Sequence, residues 1–469
     1  MQNLDSTVVA TALPTMARAF GSSPLRMNVA LTSYMLSLAV FIPVSGWMAD
    51  RFGSRTVFRA AIVVFTIGSI LCGLAGSLPF LVGARILQGA GGALMVPVGR
   101  LLLLRAVAKS ELVAAMAWLT VPALIGPVVG PPIGGFLATY ADWRWIFYLN
   151  VPIGVLGVVL VTRYIAELRE PGTKRLDVRG LALSSLALAG LMVGMETAGR
   201  GVLSFVATAG LLAVGLLAAA YAWHARRYAE PLLDFSLMRL PTFAVSVTAG
   251  SLFRIGIGAI PFLLPLMLQL GFGESPAQSG LVTFASSAGA IAMKPIAQVS
   301  LRRFGFRNTL IWNAVLSAAL LAVIALFRPA WPMVAIYATL LAGGFVRSLQ
   351  FTAYNTIAYA DVPRERMSAA TSLYSTLQQI SLSIGITMGA AILELMTWMG
   401  GHAHPTLRDF SVGFLAVAAL ALLAAPVALT LPRDAGDEMS GHAGVLPSDH
   451  ASVPTSDHAG VPARSSAAE

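Results

Sequence analysis

The sequence predicts an all-α polytopic membrane protein, and three observations support that prediction. Of the 469 residues, 57% are hydrophobic and only 11% are charged, whereas a soluble domain carries about 25% charged residues. Apolar runs of about 20 residues, long enough to cross a bilayer as helices, recur along the chain. The basic residues concentrate in short loops between those runs, so the net charge of +10 indicates membrane orientation rather than a nucleic-acid partner.

The predicted spans follow one another with short connections. Residues 4–17 form a partial first span, because Arg18 marks its outer end and a helix of about 20 residues would begin before Met1. We therefore expect further residues upstream of Met1 to complete it. The later spans, which bring the total to fourteen, are predicted at 28–48, 57–75, 79–102, 112–138, 145–163, 180–198, 203–223, 243–270, 279–299, 309–327, 331–355, 368–396 and 410–431.

Alternate loops differ strongly in their basic residues. One set carries eighteen lysines and arginines, from Arg51 to Arg366, and the other set carries six. Because basic loops stay in the cytoplasm, the first set is predicted to be cytoplasmic. An even number of spans then places both termini on that side of a bacterial inner membrane.

Several kinds of site are not indicated by the sequence. Cys72 is the single cysteine, so no disulfide forms within the chain. The chain has no H-E-x-x-H, G-x-S-x-G or G-x-x-x-x-G-K-[ST] motif, so we expect neither an enzyme nor an ATP-driven pump. Three histidines lie in the polar tail 432–469, which we expect to be a disordered solvated segment rather than a metal site.

Residues 126–135 break the usual rules of a helix inside the long apolar run 112–138. Gly126, Gly130 and Gly134 recur every fourth residue, so they share one helix face and allow another backbone to approach closely. The prolines between them remove amide donors and bend the helix. The stretch is either a tight helix crossing with no further role or a functional element.

A sequence echo divides the chain into halves. Residues 46–55 contain Arg-Phe-Gly-Ser-Arg from position 51, and Arg-Phe-Gly-Phe-Arg recurs from position 303, an offset of 252 residues. Two parallel halves of six spans are implied. We therefore predict four units: a first half at 1–165, two inserted helices with their loops at 166–242, a second half at 243–431, and the tail at 432–469.

Five motifs in this order resemble the major facilitator superfamily, and more closely its fourteen-helix drug:proton antiporter branch. The resemblance covers the chain apart from the tail and the missing start. The motifs are LDSTVVATALP at 4–14, DRFGSR at 50–55, RILQGAGG at 85–92, GPVVGPPIGG at 126–135 and WRWIFYLNVPIG at 143–154.

Proton coupling is predicted for Asp5 and Arg85. A carboxyl group inside a low-dielectric helix is protonated more readily than one in water, and the first-helix motif agrees with such a role for Asp5. Arg85 needs a carboxylate or carbonyl partner within the membrane, and the resemblance implies that it takes part in proton transfer. The alternative for each is a purely structural hydrogen-bonding role. Gln88, one turn after Arg85, is assigned to the substrate cavity.

The resemblance also implies a conformational role for two motifs. Gly46, Asp50, Arg51, Gly53 and Arg55 would form a charge-paired latch between helices, the alternative being ordinary positive-inside charge.

The second conformational motif is the stretch from 126 to 135. Gly126, Pro127, Gly130, Gly134 and Gly135 would seal or bend the interface of the two halves, and none of them titrates.

Other charged residues lie within or near the spans. Arg254 is deep in the span 243–270 and is assigned to the substrate cavity, facing an acidic or polar group of substrate. Lys294 is close enough to the end of its span to reach water along its stem. Glu196 and Glu394 are expected at solvated rims.

The predicted function is proton-coupled efflux of hydrophobic or amphipathic compounds by alternating access. The proton gradient supplies the energy without a cofactor or metal, and the partners are the bilayer, protons and an amphipathic small molecule. Export of one specific metabolite and a non-transporting membrane sensor remain open alternatives. A periplasmic adaptor or outer-membrane channel is neither indicated nor excluded.

Overall fold

The computed structural model describes residues 2–21, 24–121, 126, 129–130, 133–134, 136–137, 140–167, 169, 175–198, 205–401 and 404–441. Within them the chain is helical and contains no strand, which confirms the all-α prediction.

The first half is a bundle in which α5 lies between α2 and α4, and α8 packs on α4. Between α6 and α7, the described residues from 126 to 140 are also helical. The helices are α1 (Gln2–Ala19), α2 (Pro24–Phe41), α3 (Ser45–Phe52), α4 (Ser54–Gly73), α5 (Leu78–Ala106), α6 (Leu112–Leu119), α7 (Trp145–Tyr148) and α8 (Asn150–Tyr164).

The second half is a bundle in which α11 packs on α15 and α16, while α14 packs on α12 and α13. Its helices are α11 (Pro241–Leu266), α12 (Pro276–Ala292), α13 (Ala297–Ala325), α14 (Met333–Ile357), α15 (Met367–Gly400), α16 (Leu407–Leu422), α17 (Ala424–Ala428) and α18 (Asp437–Ser440).

An inserted pair of helices joins the halves. The pair consists of α9 (Val178–Ala198) and α10 (Phe205–Arg227), which pack against each other, and α9 also contacts α2 and α15. The His224 Nε2 atom lies 2.8 Å from Asp177 Oδ1, and the Leu233 amide donates to the Tyr221 hydroxyl at 2.7 Å. These contacts fasten the pair to the segment that enters the second half.

The sequence echo is visible in the backbone. Gly53 and Gly305 occupy equivalent places in the two copies, and both have positive φ values, 90° and 70°, which favour glycine. Each half is also broken at a proline just before this glycine. Helices α2 and α3 meet at 58° around Pro43, and a 3₁₀ turn at Lys294–Ile296 contains Pro295, again 252 residues later.

Eight helical stretches of the described residues are long and apolar enough to cross a membrane, and the bent pair α2–α3 adds a ninth. One of the eight, Gln278–Ala325, has 48 residues and joins α12 to α13 through the turn at Lys294–Ile296. The count is consistent with fourteen spans but does not establish that number. The chain is a multi-pass membrane protein.

The predicted boundary of the disordered tail is wrong for residues 432–441. Ala435 and Met439 are buried in the core, and α18 packs on α13 and on residues 109–111. The polar composition of this segment did not indicate that it packs against the core. Two apolar side chains make the contact, together with Gly436, which has a left-handed conformation and lies over Phe306. Residues 442–469 lie outside the described residues.

Among the described residues, the two halves share an apolar core at one end only. The largest cluster of buried side chains contains residues of both halves, whereas each of the other clusters belongs to a single half. We call this shared end the basic end, because it carries the loops at 51–55, 105–111, 302–307 and 364–366. The structure is closed there.

Candidate functional site

An acid and a base of the first half meet inside the bundle. Asp5 of α1 and Arg85 of α5 are both fully buried, and Arg85 Nη1 lies 2.5 Å from Asp5 Oδ2. Arg85 Nε donates to the Ala30 carbonyl at 3.1 Å, and its guanidinium carbon is 4.3 Å from the centroid of the Tyr34 ring. Each charge offsets much of the cost of burying the other. The two residues predicted for proton coupling are therefore in direct contact.

Three uncharged side chains complete this network. Gln88 Nε2 donates to Asp5 Oδ1 at 2.8 Å and to Ser69 Oγ at 2.7 Å, and Asn150 Nδ2 donates to the same Asp5 oxygen at 3.1 Å. Gly68 positions Gln88, because a Cβ atom on it would lie 2.6 Å from the Gln88 Cα. Helices α4 and α5 can approach this closely only with glycine there. Both Asp5 oxygens thus accept hydrogen bonds from fixed donors.

Gln88, which the sequence analysis assigned to the substrate cavity, is in direct contact with both Asp5 and Arg85. A small apolar recess between α2, α9 and α15 is lined by neither Gln88 nor Arg254. Sequence reasoning missed Asn150 as a partner of Asp5 and Ser69 as a partner of Gln88. The available signal was weak: each is an uncharged polar residue within an otherwise apolar span.

Arg254 of α11 is buried in the second half without an acid. It donates a hydrogen bond to the Tyr374 hydroxyl, and its guanidinium carbon is 4.7 Å from the Tyr374 ring centroid and 5.8 Å from that of Phe351. Its Nε atom is buried without a hydrogen-bond partner among the described residues. The structure thus places this predicted site residue deep in the second half, whereas the Asp5 network lies in the first half.

Two more buried cations occur in this half. Arg347 of α14 donates through Nη2 to Ser286 Oγ at 2.8 Å, and Lys294 donates to Thr352 Oγ1 at 2.9 Å. The expectation that Lys294 reaches water is wrong, because the 3₁₀ break turns its side chain inward and leaves it 3% exposed. Arg347 was not singled out from the sequence, although an arginine in the middle of an apolar run is a usable signal.

Arg100 of α5 crosses from the first half to the second. Its guanidinium donates to Gln378 Oε1 at 3.2 Å and to the Tyr359 hydroxyl and Ser375 Oγ at 3.4 Å. The guanidinium carbon also lies 5.4 Å from the Tyr374 ring centroid. Arg100 therefore connects the halves beside Arg254, and it does so through neutral partners.

The basic end is closed by contacts between α3 and α15. Asp50 pairs with Arg105 at 3.0 Å and also accepts a hydrogen bond from Ser368 Oγ across the halves. Ser372 Oγ donates to the Pro43 carbonyl at 2.6 Å. At Gly46 the backbones of α3 and α15 are in direct contact, because a Cβ atom there would lie 2.5 Å from the Ser368 carbonyl oxygen.

Arg55 of this motif contacts residues of the first half. Arg55 donates to the Thr162 carbonyl at 2.8 Å, and its amide donates to Glu167 Oε1 at 3.1 Å, both within the first half. Gly53 leaves room for the same Glu167 carboxylate, and Arg51 is exposed.

The glycines of the 126–135 stretch are helical and buried where they are described, namely at Gly126, Gly130 and Gly134. Their shared burial agrees with a close-packed helix face. Pro127 and Gly135 lie outside the described residues. Within the described part of the chain, no group of three or more His, Cys, Asp or Glu side chains could hold a metal ion.

Comparison with known proteins agrees with this geometry. A family model described as Major Facilitator Superfamily matches residues 1–386 and 247–443. A protein of Klebsiella pneumoniae (strain 342) named "Putative multidrug resistance protein MdtD" is 39% identical over 444 residues, covering 93% of each chain. A protein of the same name from Serratia proteamaculans is 40% identical and covers 86% of this chain and 83% of its own length.

The solved structure of the proton:xylose symporter XylE superposes with a TM-score of 0.63. The match covers 93% of this chain and 94% of that one, at 16% identity. At that identity the likeness concerns the fold alone.

Proposed function

The chain belongs to the major facilitator superfamily, and on that premise we propose that it exports amphipathic compounds across the bacterial inner membrane in exchange for protons. The observation that carries the proposal is the fully buried Asp5–Arg85 pair. It is a carboxyl group in the membrane interior, held by fixed donors and set against a permanent cation. Relatives named as putative multidrug resistance proteins support export of varied compounds.

Protonation of Asp5 would switch this network between two arrangements. A neutral carboxyl no longer forms an ion pair, so the tie between α1 and α5 weakens. Arg85 keeps a partner, since its Nη1 atom also donates to Gln88 Oε1 at 2.6 Å. A group with two stable surroundings is what a coupled carrier needs, because a ligand shifts a conformational equilibrium only by its differential affinity for the two states.

The closed basic end supports alternating access. We place that end in the cytoplasm because it carries the basic loops, so this conformation is closed toward the cytoplasm. Opening it requires parting of Asp50 from Ser368, of Ser372 from the Pro43 carbonyl and of Arg100 from Gln378. These neutral or half-buried contacts are individually weak, which suits a gate that opens in every cycle.

The test uses the full chain in liposomes with a pH-sensitive dye inside. Three transport probes are offered: ethidium as a cation, N-phenyl-1-naphthylamine as a neutral dye and 8-anilinonaphthalene-1-sulfonate as an anion. We expect a gradient of at least one probe to drive proton movement in the opposite direction. Asp5→Asn should abolish that proton movement, because the amide cannot take up a proton, while probe exchange without a gradient continues.

Glu394→Gln is the matched control, since Glu394 is an exposed carboxylate on α15. It should leave coupling unchanged. Proton movement at the parental rate in Asp5→Asn, or an equal loss in both variants, would overturn the role assigned to Asp5.

A further inference from the structure

We propose that the substrate carries an anionic group, a carboxylate, sulfonate or phosphate, which Arg254 of the second half binds and which Arg100 of the first half closes over. The proposal deepens the proposed function by naming its substrate class. It relies on that function for transport, but the binding of an anion can be measured without it.

The first observation is that these cations are buried without an acid. The exposed fractions of Arg254, Lys294, Arg100 and Arg347 are 1%, 3%, 5% and 7%. Among the described residues, these cations donate to hydroxyl and amide groups, and none of them forms an ion pair. A buried charge is costly in a membrane unless it is paired.

The second observation is that donors remain for a ligand. Arg100 Nε, Arg254 Nε and Arg347 Nη1 are all buried, and none of these atoms has a hydrogen-bond partner within the described part of the chain. Buried donors are nearly always satisfied in native proteins. An oxyanion supplies the acceptors that these atoms lack, and guanidinium groups bind oxyanions with parallel hydrogen bonds.

The third observation is that the guanidinium groups gather around two rings. Tyr374 lies between Arg100 and Arg254, at 5.4 Å and 4.7 Å from their guanidinium carbons, and Arg254 also approaches Phe351. Phe351 follows Arg347 by one helical turn. Arg100 and Arg254 are therefore neighbours, and the adjoining rings offer an apolar surface to the body of the ligand.

The fourth observation is that Arg254 and Arg347 have the same local backbone surroundings. Arg254 and Arg347 each follow a glycine by four residues, and a Cβ atom on Gly250 or Gly343 would lie 2.8 Å or 2.7 Å from the Nη1 atom of its arginine. Each guanidinium thus lies back along its own helix over a position that has no side chain. This arrangement fixes the two charges in place, as a binding site requires.

Arg100 makes the site dependent on conformation. It belongs to the first half, so it stands beside Arg254 and Tyr374 while the basic end is closed. Opening of that end would withdraw one positive charge and weaken anion binding. The anion would therefore be held most tightly in the state that is closed toward the cytoplasm.

The test compares two probes of the same shape and different charge. Binding of 2-naphthoate and of 2-naphthamide to the purified full chain in a neutral detergent is measured by calorimetry at neutral pH. We expect the carboxylate to bind about tenfold more tightly than the amide or better, since hydrogen bonds to a charged group are lost with the amide. Arg254→Gln should remove the preference, and Arg254→Lys should keep part of it.

Arg328→Gln is the matched control, because Arg328 is an exposed arginine of the same half that bonds carbonyl groups and Ser411. It should keep the full preference. Equal affinity for the two probes in the parental protein, or an equal loss in Arg328→Gln, would overturn the proposal.

Two further measurements distinguish a substrate site from a lipid site, and the anion site from proton coupling. Saturation with phosphatidylglycerol that blocks 2-naphthoate would overturn the substrate assignment and give the site to a lipid headgroup. Asp5→Asn should retain the preference for 2-naphthoate. If proton coupling is absent in liposomes but the preference survives, the proposed function fails and the anion site stands.

Discussion

The two halves bury their charges in opposite ways. In the first half, Arg85 is matched by Asp5 at 2.5 Å, and the amides of Gln88 and Asn150 donate to Asp5. In the second half, Arg254, Lys294 and Arg347 have only hydroxyl partners. The charge of Arg85 is paired within the chain, whereas the three cations of the second half form no ion pair among the described residues. The difference indicates a division of labour, with proton exchange in one half and ligand binding in the other.

The repeat makes this difference sharper. Extended along the halves, the 252-residue offset pairs Asp5 with Ile257 and Arg85 with Tyr337. The halves therefore share their backbone breaks at Pro43 and Pro295 but not their buried charges. Packing preserves the common shape, and the charges follow from what each half has to bind.

Removal of Arg85 should give the largest effect. Arg85→Leu leaves Asp5 buried without its cation, and breaking a buried ion pair costs about 3–5 kcal/mol of unfolding free energy. Thermal unfolding in detergent should show a large fall in the midpoint, and the double variant Asp5→Asn, Arg85→Gln should recover most of it. If Arg85→Leu alone were as stable as the parent, Arg85 would not offset the cost of burying Asp5.

Removal of a cation that has no acid beside it should raise the free energy of unfolding instead of lowering it. Arg347→Met keeps much of the apolar stem and deletes a charge that has no acid beside it, so we expect the ligand-free protein to gain about 1 kcal/mol or more. The same unfolding measurement checks this. A loss as large as that of Arg85→Leu would remove the distinction between the halves.

The smallest effect should come from a pair at the surface of the second half. Burial alone would raise the pKa of Asp234, but hydrogen bonds from Ser236 and the charge of Arg366, 2.5 Å away, outweigh it and lower that pKa. The resulting stability is present at neutral pH and is lost as the pH falls below the unfolded value of about 3.9.

Asp234→Asn should therefore cost about 0.5 kcal/mol at neutral pH, since the pair is partly exposed, and less toward acid pH. Unfolding midpoints measured across that pH range check this, with Arg366→Gln as the reciprocal variant. If the loss of unfolding free energy in Asp234→Asn grew as the pH fell, the prediction would be contradicted.

Sequence periodicity and charge predicted the helices and the repeat, and they placed Asp5, Arg85 and Arg254 inside the spans, where the structure buries them. Hydropathy did not predict how each helix is rotated, so the contact of Gln88 and Asn150 with Asp5 was not foreseen. The inward turn of Lys294 depends on a local break at Pro295, which a uniform helix pattern hides. The course of residues 432–441 depends on Met439, a single apolar side chain in a polar segment.

That segment, residues 432–441, has a practical consequence. Its Glu438 lies 3.0 Å from Lys109 of the first half, while Met439 is seated in the core. The ion pair is largely exposed and worth at most about 1 kcal/mol, so the buried methionine rather than the charge secures the segment. A purification tag or fluorescent fusion should accordingly be attached after residue 441, since one placed earlier would displace a packed part of the carrier.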